Sequence, residues 1–386
     1  MKTAKFHFSK VVDISAAHLL HDIYSSFLAP LIPLLIEKLS INYFLVGILA
    51  VIQRSASLFN PFIGLLVDKK ELRYFIILTP AITAISMSMI GLVSSFYQLA
   101  ALLFIMGVSA AFFHVPGPVL IRKVAGDKTG LGMSFYMVAG ELARAIGPIV
   151  IVSAVSWWGL EHTYRLIPAG ILASIILFFR LRKLKHIDFK RPPANLNIKE
   201  TLIELKGFFL VLTGYSFSRG LMRGLLITFL PVYLTSRGES LWVAAYSLSI
   251  LELAGAAGSL VAGGISDKIG RRRTLIIIAL VTPVLMLGYN FATGFVNILM
   301  LILIGFFIFG SGPVLLALVQ EKNLERPSFT NGVYMTINFT FGAIASLFVG
   351  WLSDIIGLEN VFHITPVFAM LAIPFAFMFK EPKRTA

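Results

Sequence analysis

The sequence predicts an all-α membrane protein with twelve transmembrane helices in two six-helix repeats and with both termini in the cytoplasm. Three observations support this prediction. Of the 386 residues, 57% are apolar and only 13% are charged, whereas about 25% are charged in an ordinary soluble domain. Long apolar runs recur along the chain, and lysine and arginine gather in alternate segments between them. This composition excludes a soluble enzyme, a disordered chain and, since cysteine is absent, a disulfide scaffold.

The apolar runs are each long enough to cross a bilayer, which takes about 20 helical residues. In the first half the predicted spans are 11–37, 42–67, 73–94, 97–121, 130–157 and 162–183. In the second half they are 206–235, 241–266, 273–292, 296–319, 329–353 and 359–379. The longest polar stretch lies between the two sets. We therefore predict an N-terminal half of 1–183, a cytoplasmic linker of 184–205 and a C-terminal half of 206–386.

Lysine and arginine set the predicted orientation, because cytoplasmic loops carry an excess of both. With the N-terminus inside, 26 of the 33 lie in cytoplasmic segments, three lie outside and four lie within spans. The net charge of +14 would suggest a nucleic-acid partner in a soluble protein, but here it follows from this bias and no nucleic acid is expected. We expect a monomeric, multi-pass protein of the inner (plasma) membrane without a cofactor or metal.

Three short motifs recur in the two halves at nearly one offset. The matches are Asp68 with Asp267 at 199 positions, Gly117-Pro118 with Gly312-Pro313 at 195, and Tyr136-Met137 with Tyr334-Met335 at 198. Each match lies at the same place in its half, which indicates a parallel duplication. Such repeats pack about an axis along the membrane normal and place a substrate site between them near the midplane.

The loop after the eighth span carries the most specific motif, from Gly263 to Arg273. An aspartate at a helix end, near basic residues and another helix N-terminus, can latch one conformation and release the other. The alternative is a plain capped turn, and the second copy in the first half favours the latch. A similar pattern from Gly350 to Gly357 falls outside, and we interpret it as a helix–turn–helix rather than as a third latch. The predicted gating residues are Gly64, Asp68, Arg73, Gly263, Asp267, Arg271 and Arg272.

The twelve spans, the central linker and the doubled loop together resemble the major facilitator superfamily. The second loop fits that family's G-x-L-x-D-x-x-G-R-R/K pattern with Ile265 at the leucine position, whereas the first has Glu71 and Leu72 in place of the later glycine and the first basic residue. Three patches are similar to the fosmidomycin-resistance branch: His18 to Asp22 with Pro30 and Pro33, Phe113-His114, and Gly140 to Gly147-Pro148. The resemblance implies secondary transport by alternating access and, for the branch, proton-driven drug efflux.

Ionisable residues inside the spans are the candidate functional residues, because each costs about 2.5–3.5 kcal/mol at the centre of a bilayer. His18 and Asp22 are separated by one helical turn, and so are Glu141 and Arg144, so each pair shares a helix face. Buried carboxylates and histidines change protonation when a cavity opens or closes. The predicted proton-coupling residues are Asp22, Glu141, Glu252 and His18, with Asp22 and Glu141 ranked first.

Arg219 and Arg223 place two positive charges on one face of the seventh span. A structural role would need two buried acids, whereas an anionic ligand would satisfy both, since guanidinium groups suit carboxylate and phosphonate. Structural alternatives stay open elsewhere: ion pairs for Arg54 and Glu252, a helix staple for Glu141 with Arg144, and a helix contact for His21. The predicted substrate-binding residues are Arg219, Arg223, Arg144, Arg54 and His114.

These residues favour a secondary active transporter, with proton-coupled efflux of small amphipathic or anionic compounds, such as drugs, as the first hypothesis. A proton-coupled importer of an organic anion fits the arginine pair equally well. A non-transporting membrane receptor is the alternative from another class, and the internal repeat with its doubled loop argues against it. The sequence has no P-loop, which disfavours transport driven by ATP.

Overall fold

The computed structural model describes residues 6–60, 63, 72–182, 203–322 and 327–380. Within these ranges the chain is helical and contains no strand. The predicted gating residues Gly64 and Asp68 lie outside the described residues, as does most of the predicted linker 184–205.

The described chain forms sixteen α-helices. Those of the first part are α1 Phe8–Ser25, α2 Leu28–Leu39, α3 Tyr43–Ser55, α4 Leu72–Ser88, α5 Phe96–His114, α6 Pro116–Ala125, α7 Thr129–Trp158 and α8 Ile167–Leu181. Those of the second part are α9 Lys206–Gly224, α10 Leu230–Ser236, α11 Leu241–Ile269, α12 Arg271–Phe291, α13 Gly294–Lys322, α14 Pro327–Ile356, α15 Leu358–Ala369 and α16 Ala372–Met378. A π-helix, Leu225–Phe229, joins α9 to α10.

Proline explains two breaks inside predicted spans. A proline in a helix lacks the amide hydrogen, and its ring clashes with the carbonyl group four residues earlier. Pro30 therefore separates α2 from α1 near Ser26. Pro118 acts in the same way on His114, where α5 ends and α6 begins at Pro116. Both breaks lie close to the titratable residues of the first half.

Nine stretches of the described chain are long and apolar enough to cross a membrane. One of them, Phe96–Trp158, contains two predicted spans, and Tyr43–Phe59 is a shorter apolar helix. Large apolar side chains such as Phe291 and Leu260 are exposed on these helices, as expected of a surface that lipid covers. The fold is thus that of an all-α membrane protein, while the count of twelve spans and the side of the termini stay predictions.

The chain divides into two compact units. The first comprises Met1–Ile41, Ile52–Phe189 and Leu234–Ser249, and the second comprises Asn42–Val51, Lys190–Tyr233 and Ile250–Ala386. Each unit has its own apolar core, which includes Ile14 and Phe113 in the first and Tyr215 and Leu315 in the second. The helix α3 is divided, since its residues up to Val51 belong to the second unit and its later residues to the first.

The internal repeat is visible in one close helix contact that occurs in each unit. In the first, a Cβ on Gly107 would stand 2.2 Å from the carbonyl oxygen of Gln53. In the second, a Cβ on Gly305 would stand 2.4 Å from the carbonyl oxygen of Leu251. Both partners are shifted by 198 positions, so the same crossing is built twice. Glycine permits this approach because it has no side chain to separate the helices.

Candidate functional site

A cluster of buried polar side chains lies on α1 in the first unit. His18, His21 and Asp22 are 5%, 0% and 3% exposed. Packing of α1 against α4, α5 and α7 encloses them. Because ionisable groups that are removed from water need partners, the contacts of each side chain show what it can do.

His18 turns one ring nitrogen towards Asp22. Its Nδ1 lies 2.7 Å from the carbonyl oxygen of Tyr136, which can only accept, so Nδ1 carries a hydrogen. Its Nε2 lies 3.3 Å from Oδ2 of Asp22. A bare imidazole nitrogen and a carboxylate oxygen are both acceptors, and they attract each other only when one of them is protonated. The pair is therefore arranged to hold a proton.

Two residues of α7 hold the His18 ring in place. The Tyr136 ring stacks on it with the centroids 3.9 Å apart. A Cβ on Gly140 would stand 2.5 Å from Cε1 of His18, which is too close for two carbon atoms. The imidazole thus fills the space that a side chain at position 140 would occupy.

His114 reaches the other oxygen of Asp22, with Nε2 3.3 Å from Oδ1. Its side chain is 44% exposed, whereas that of His18 is enclosed. This exposure follows from its position as the last residue of α5, at the break before Pro116. Asp22 is therefore flanked by one enclosed and one accessible imidazole, an arrangement that offers a proton a route between the surface and the interior of the unit.

Arg144 forms an ion pair with Glu141, as their spacing on α7 predicts, and its Nη1 also lies 3.7 Å from Oδ2 of Asp22. The same oxygen faces His18. The Arg144 guanidinium and the His18 imidazole thus face the same carboxylate oxygen. The structure brings together five predicted site residues in the first unit: His18, Asp22, His114, Glu141 and Arg144.

His21 forms a hydrogen-bonded relay that the sequence did not indicate. The Ser109 hydroxyl donates to the carbonyl oxygen of Thr79 at 3.1 Å, so its oxygen accepts from Thr83 at 2.8 Å. Thr83 must then accept from Nδ1 of His21 at 3.0 Å. This assignment satisfies all three contacts and leaves Nε2 of His21 unprotonated, buried and without a hydrogen bond to the described residues. Threonine and serine are common in apolar helices, so their pattern gives no signal for such a relay.

Distance alone would let the cluster hold a metal ion, because ligand atoms of His18, Asp22 and His114 lie within 4.8 Å of one another. Imidazole and carboxylate are ligands that zinc accepts. However, Arg144 places a permanent positive charge beside the same carboxylate. A second full cation beside it would be repelled, whereas a proton can be shared with a histidine. The arrangement suits a proton better than a metal ion.

Arg219 is 8% exposed and is held by neutral groups in the second unit. Its Nη1 donates to the Ser311 hydroxyl at 2.7 Å, and its Nη2 donates to Oδ1 of Asn338 at 2.8 Å. No carboxylate lies within ion-pair distance of Arg219 among the described residues. Arg219 also lines a small apolar cavity of about 20 Å³. A buried permanent charge without a described acid in ion-pair range is suited to an anion.

Three further charged residues are predicted to act within the spans. Arg223 lies over the Phe309 ring, 4.9 Å from its centroid, and Glu252 on α11 is 4% exposed. Arg54 on α3 is partly buried, and its side chain has no hydrogen bond or ion pair with the described part of the chain. That Arg219 and Arg223 face a central cavity stays a prediction.

Arg271 connects the ends of three helices in the second unit. It lies in the first turn of α12, and its Nη2 is 2.6 Å from Oδ1 of Asp267 at the end of α11. The same nitrogen is 3.0 Å from Oε1 of Glu321 at the end of α13. The other terminal nitrogen of Arg271, Nη1, donates to the hydroxyl of Ser266. The basic and acidic residues of the motif thus form one polar cluster.

A small residue such as Gly263 permits a neighbouring helix to pack closely, but a Cβ there would meet no atom of the described residues within 4 Å. Its backbone contributes instead, since its carbonyl oxygen accepts from the Ser266 hydroxyl at 2.7 Å. Arg272 lies 5.9 Å from the centroid of the Phe377 ring. In the first unit Arg73 donates to the carbonyl oxygen of Arg182.

Comparison with known families accounts for this architecture. The family model described as Major Facilitator Superfamily matches residues 14–344. The chain belongs to the Major Facilitator Superfamily. It is therefore a multi-pass transporter of the inner (plasma) membrane that acts on a small-molecule substrate and is not an enzyme, which confirms the class predicted from the sequence.

Two relatives resemble nearly the whole chain. The fosmidomycin resistance protein of Escherichia coli (strain K12) is 24% identical over 385 residues, which cover 96% of this chain and 93% of that protein. The uncharacterized MFS-type transporter YfnC of Bacillus subtilis (strain 168) is 25% identical over 376 residues, which cover 95% and 89%. The resemblance to the fosmidomycin-resistance branch is thus confirmed.

Solved structures of low sequence identity share the fold. A bacterial homolog of the human lysosomal transporter Spinster has a TM-score of 0.78 at 17% identity and 95% coverage of both chains. The nucleoside transporter NupG has a TM-score of 0.77 at 17% identity, with 96% of this chain and 100% of that chain covered. The xylose transporter XylE of E. coli has a TM-score of 0.75 at 13% identity and 98% coverage of both chains.

Proposed function

We propose that this transporter exports small amphipathic or anionic compounds, such as drugs, by alternating access, in exchange for protons. The observation that carries the proposal is the Asp22 carboxylate, which is enclosed in the first unit between His18, His114 and Arg144. The name of the E. coli relative supports drug efflux over other kinds of transport.

The proton site is Asp22 with its two imidazoles. When a proton is bound between His18 and Asp22, the carboxylate charge is satisfied locally. When the proton leaves, the same Oδ2 is free to attract Arg144, 3.7 Å away. Arg144 is then attracted by both Asp22 and Glu141. Because Arg144 lies on α7, the loss of a proton from α1 changes the electrostatic force on α7. Such a shift between two packed helices is a means of coupling protonation to conformation.

The substrate-binding groups are the intramembrane arginines, with Arg219 as the principal residue. Its neutral partners leave a full positive charge among apolar side chains such as Met222 and Ile308, which suits a compound that has an anionic group. Arg54 offers a second charge without a described acid. Arg223, Arg144 and His114 complete the proposed set, and Glu252 is the reserve candidate for proton coupling.

The conformational change requires contacts that can be released at helix ends. The cluster of Arg271, Asp267 and Glu321 is such a contact, because Asp267 is 63% exposed and water can replace its partner. We propose that it stabilises one state of the cycle, with the copy at Gly64, Asp68 and Arg73 acting in the first half.

The proposed organisation is that of the sequence prediction: two six-helix halves, 1–183 and 206–386, a cytoplasmic linker of 184–205, and a monomer with both termini in the cytoplasm. The division into units supports the position of the linker in part, since most of the chain up to Phe189 falls in one unit and most of the chain from Lys190 in the other, while Asn42–Val51 and Leu234–Ser249 group with the opposite unit.

The function can be tested with the purified protein in liposomes. Fosmidomycin, other anionic drugs and neutral drugs would be offered in counterflow, with and without a pH gradient. We expect exchange of anionic compounds without a gradient, and uphill movement against the flow of protons with one. Uphill movement in the same direction as protons would favour the importer hypothesis, and movement that ignores the gradient would exclude proton coupling.

A further inference from the structure

The segment from Gly350 to Gly357 contacts another helix in the structure. The helix α14 ends at Ile356, and α15 begins at Leu358. Gly357 between them has a φ of +85°, a conformation that favours glycine. The segment is thus the helix–turn–helix that the sequence predicts. The sequence gives it no latch role, but Asp354 within it makes a contact that the proposed function does not use.

Asp354 in this segment binds another helix. Its Oδ1 accepts a hydrogen bond from the backbone N–H of Tyr43 at 2.9 Å, and its Oδ2 accepts from Phe44 at 2.8 Å. These N–H groups belong to the first turn of α3 and have no partner within their own helix. A carboxylate there also interacts favourably with the helix dipole. Asp354 on α14 therefore caps the start of α3.

Glycines allow the two helices to approach closely at this point. A Cβ on Gly350 would stand 2.3 Å from the carbonyl oxygen of Tyr43, and a Cβ on Gly47 would stand 2.7 Å from Cα of Leu347. Both distances are shorter than side chains tolerate. The capping contact is thus part of a fitted surface between α3 and α14 within the second unit.

The position of α3 in the fold suggests that this contact can open. The helix is divided between the two compact units, and the turn that Asp354 caps belongs to the second. We propose that Asp354 is a latch that holds Asn42–Val51 on α14 in one state of the transport cycle and releases it in the other. This latch rests on the alternating access of the proposed function and adds a contact at helix ends that the predicted topology places outside. Asp354 is exposed, so water can replace the N–H groups when the contact opens.

Hydrogen exchange on the purified full-length protein tests the latch without any substrate. Asp354→Asn removes the charge and one acceptor oxygen, and we expect exchange in 42–51 to become about two- to fivefold faster, as a helix-dipole interaction of this kind implies. Glu359→Gln is the matched control, because Glu359 is an exposed acid in the first turn of α15. It should leave exchange in 42–51 unchanged.

A second variant changes the close packing of α14 against α3 instead of the carboxylate. Gly350→Ala leaves the carboxylate intact but puts a methyl group against the Tyr43 carbonyl, so it should also speed exchange in 42–51.

In a parallel measurement, Ala50→Cys introduces a single thiol into a chain without cysteine, at a buried position of α3. Its labelling by a maleimide should be faster when Asp354→Asn is added.

Two results would overturn the latch. One is unchanged exchange and labelling in both Asp354→Asn and Gly350→Ala. The other is faster exchange along α14 and α15 with 42–51 unaffected, since Asp354 would then stabilise only its own helix end. Neither result depends on proton coupling, so the latch and the proposed function can fail separately.

Discussion

Thr83 accepts the Nδ1 hydrogen of His21 at 3.0 Å, and this bond decides which nitrogen of a fully buried ring is protonated. Thr83→Val would keep the shape of the side chain but leave a buried N–H without a partner. An unsatisfied buried polar group costs about 1–3 kcal/mol, so we expect a lower thermal midpoint for the purified protein. Thr83→Ser keeps the hydroxyl and serves as the control. Equal midpoints for Thr83→Val and Thr83→Ser would show that the relay contributes nothing to stability.

Asp22→Asn should abolish uphill transport and retain counterflow. The amide cannot take up a proton between His18 and His114, whereas its size and place are nearly unchanged. We expect accumulation driven by a pH gradient to fall to the level without a gradient. Glu141→Gln should have the same direction of effect, because it releases Arg144 to bind Asp22 permanently. The measurement is substrate accumulation and proton flux in the same liposomes.

Normal proton flux with uphill transport in both variants would place the coupling site elsewhere, and Glu252 would be examined next. The pH dependence provides a second check. If Asp22 holds the transported proton, the wild-type rate should vary with pH and the rate of Asp22→Asn should not.

Asp267→Asn should slow transport while the protein remains folded. Asp267 is largely exposed, and pairs of this kind contribute about 0–1 kcal/mol to stability. If the pair stabilises one conformation over the other by the same free energy, its loss still changes the ratio of the two conformations up to about fivefold. We expect a reduced turnover with an unchanged thermal midpoint. The control is Asp127→Asn, which removes an exposed acid elsewhere and should leave turnover at the wild-type level. If Asp267→Asn also keeps the wild-type turnover, the gating role is disproved.

Arg219→Lys should weaken binding of anionic compounds although it keeps the charge. Lysine has no guanidinium fork with which to hold Ser311, Asn338 and an anion together. Hydrogen bonds to charged groups are worth about 1.5–3 kcal/mol, so loss of one such bond lowers the affinity roughly tenfold or more. Arg219→Gln should lower it further, and Arg223 should respond in the same way. Arg122→Lys, at an exposed position, is the control.

A binding titration of each variant with an anionic and a neutral compound decides the role of the arginines. Selective loss for the anionic compound supports a binding role. Equal loss for both compounds, or no loss for either, would mean that the arginines are structural.

Much of the fold could be predicted because it depends on composition and spacing. The apolar runs locate the helices, and the repeated motifs predict the duplication that the contacts of Gly107 and Gly305 display. Helix spacing also predicts that His18 pairs with Asp22 and that Glu141 pairs with Arg144, since each pair lies on one face of one helix.

The remaining contacts join residues that are distant in sequence and carry no local signal. The carbonyl group of Tyr136 that fixes the His18 tautomer belongs to the backbone, so no residue type reveals it. The sequence places Asp354 only in a turn, because the helix that it caps begins 311 residues earlier. At Gly263 the local signal is present without the contact. The glycine fits the motif, but no described helix packs closely against it.

If His18 carries a proton in the proposed cycle, the space at Gly140 makes the release of that proton a matter of timing. An imidazole that fills this space under the Tyr136 ring cannot flip while α1 and α7 remain packed together. It can therefore pass its proton only to the atom that it already faces. Transfer of that proton to any other group then waits for the separation of the two helices, a motion of microseconds to milliseconds, and not for the far faster rotation of a free ring. In the proposed cycle, this packing of the His18 ring against α7 also limits proton leakage when no substrate is transported.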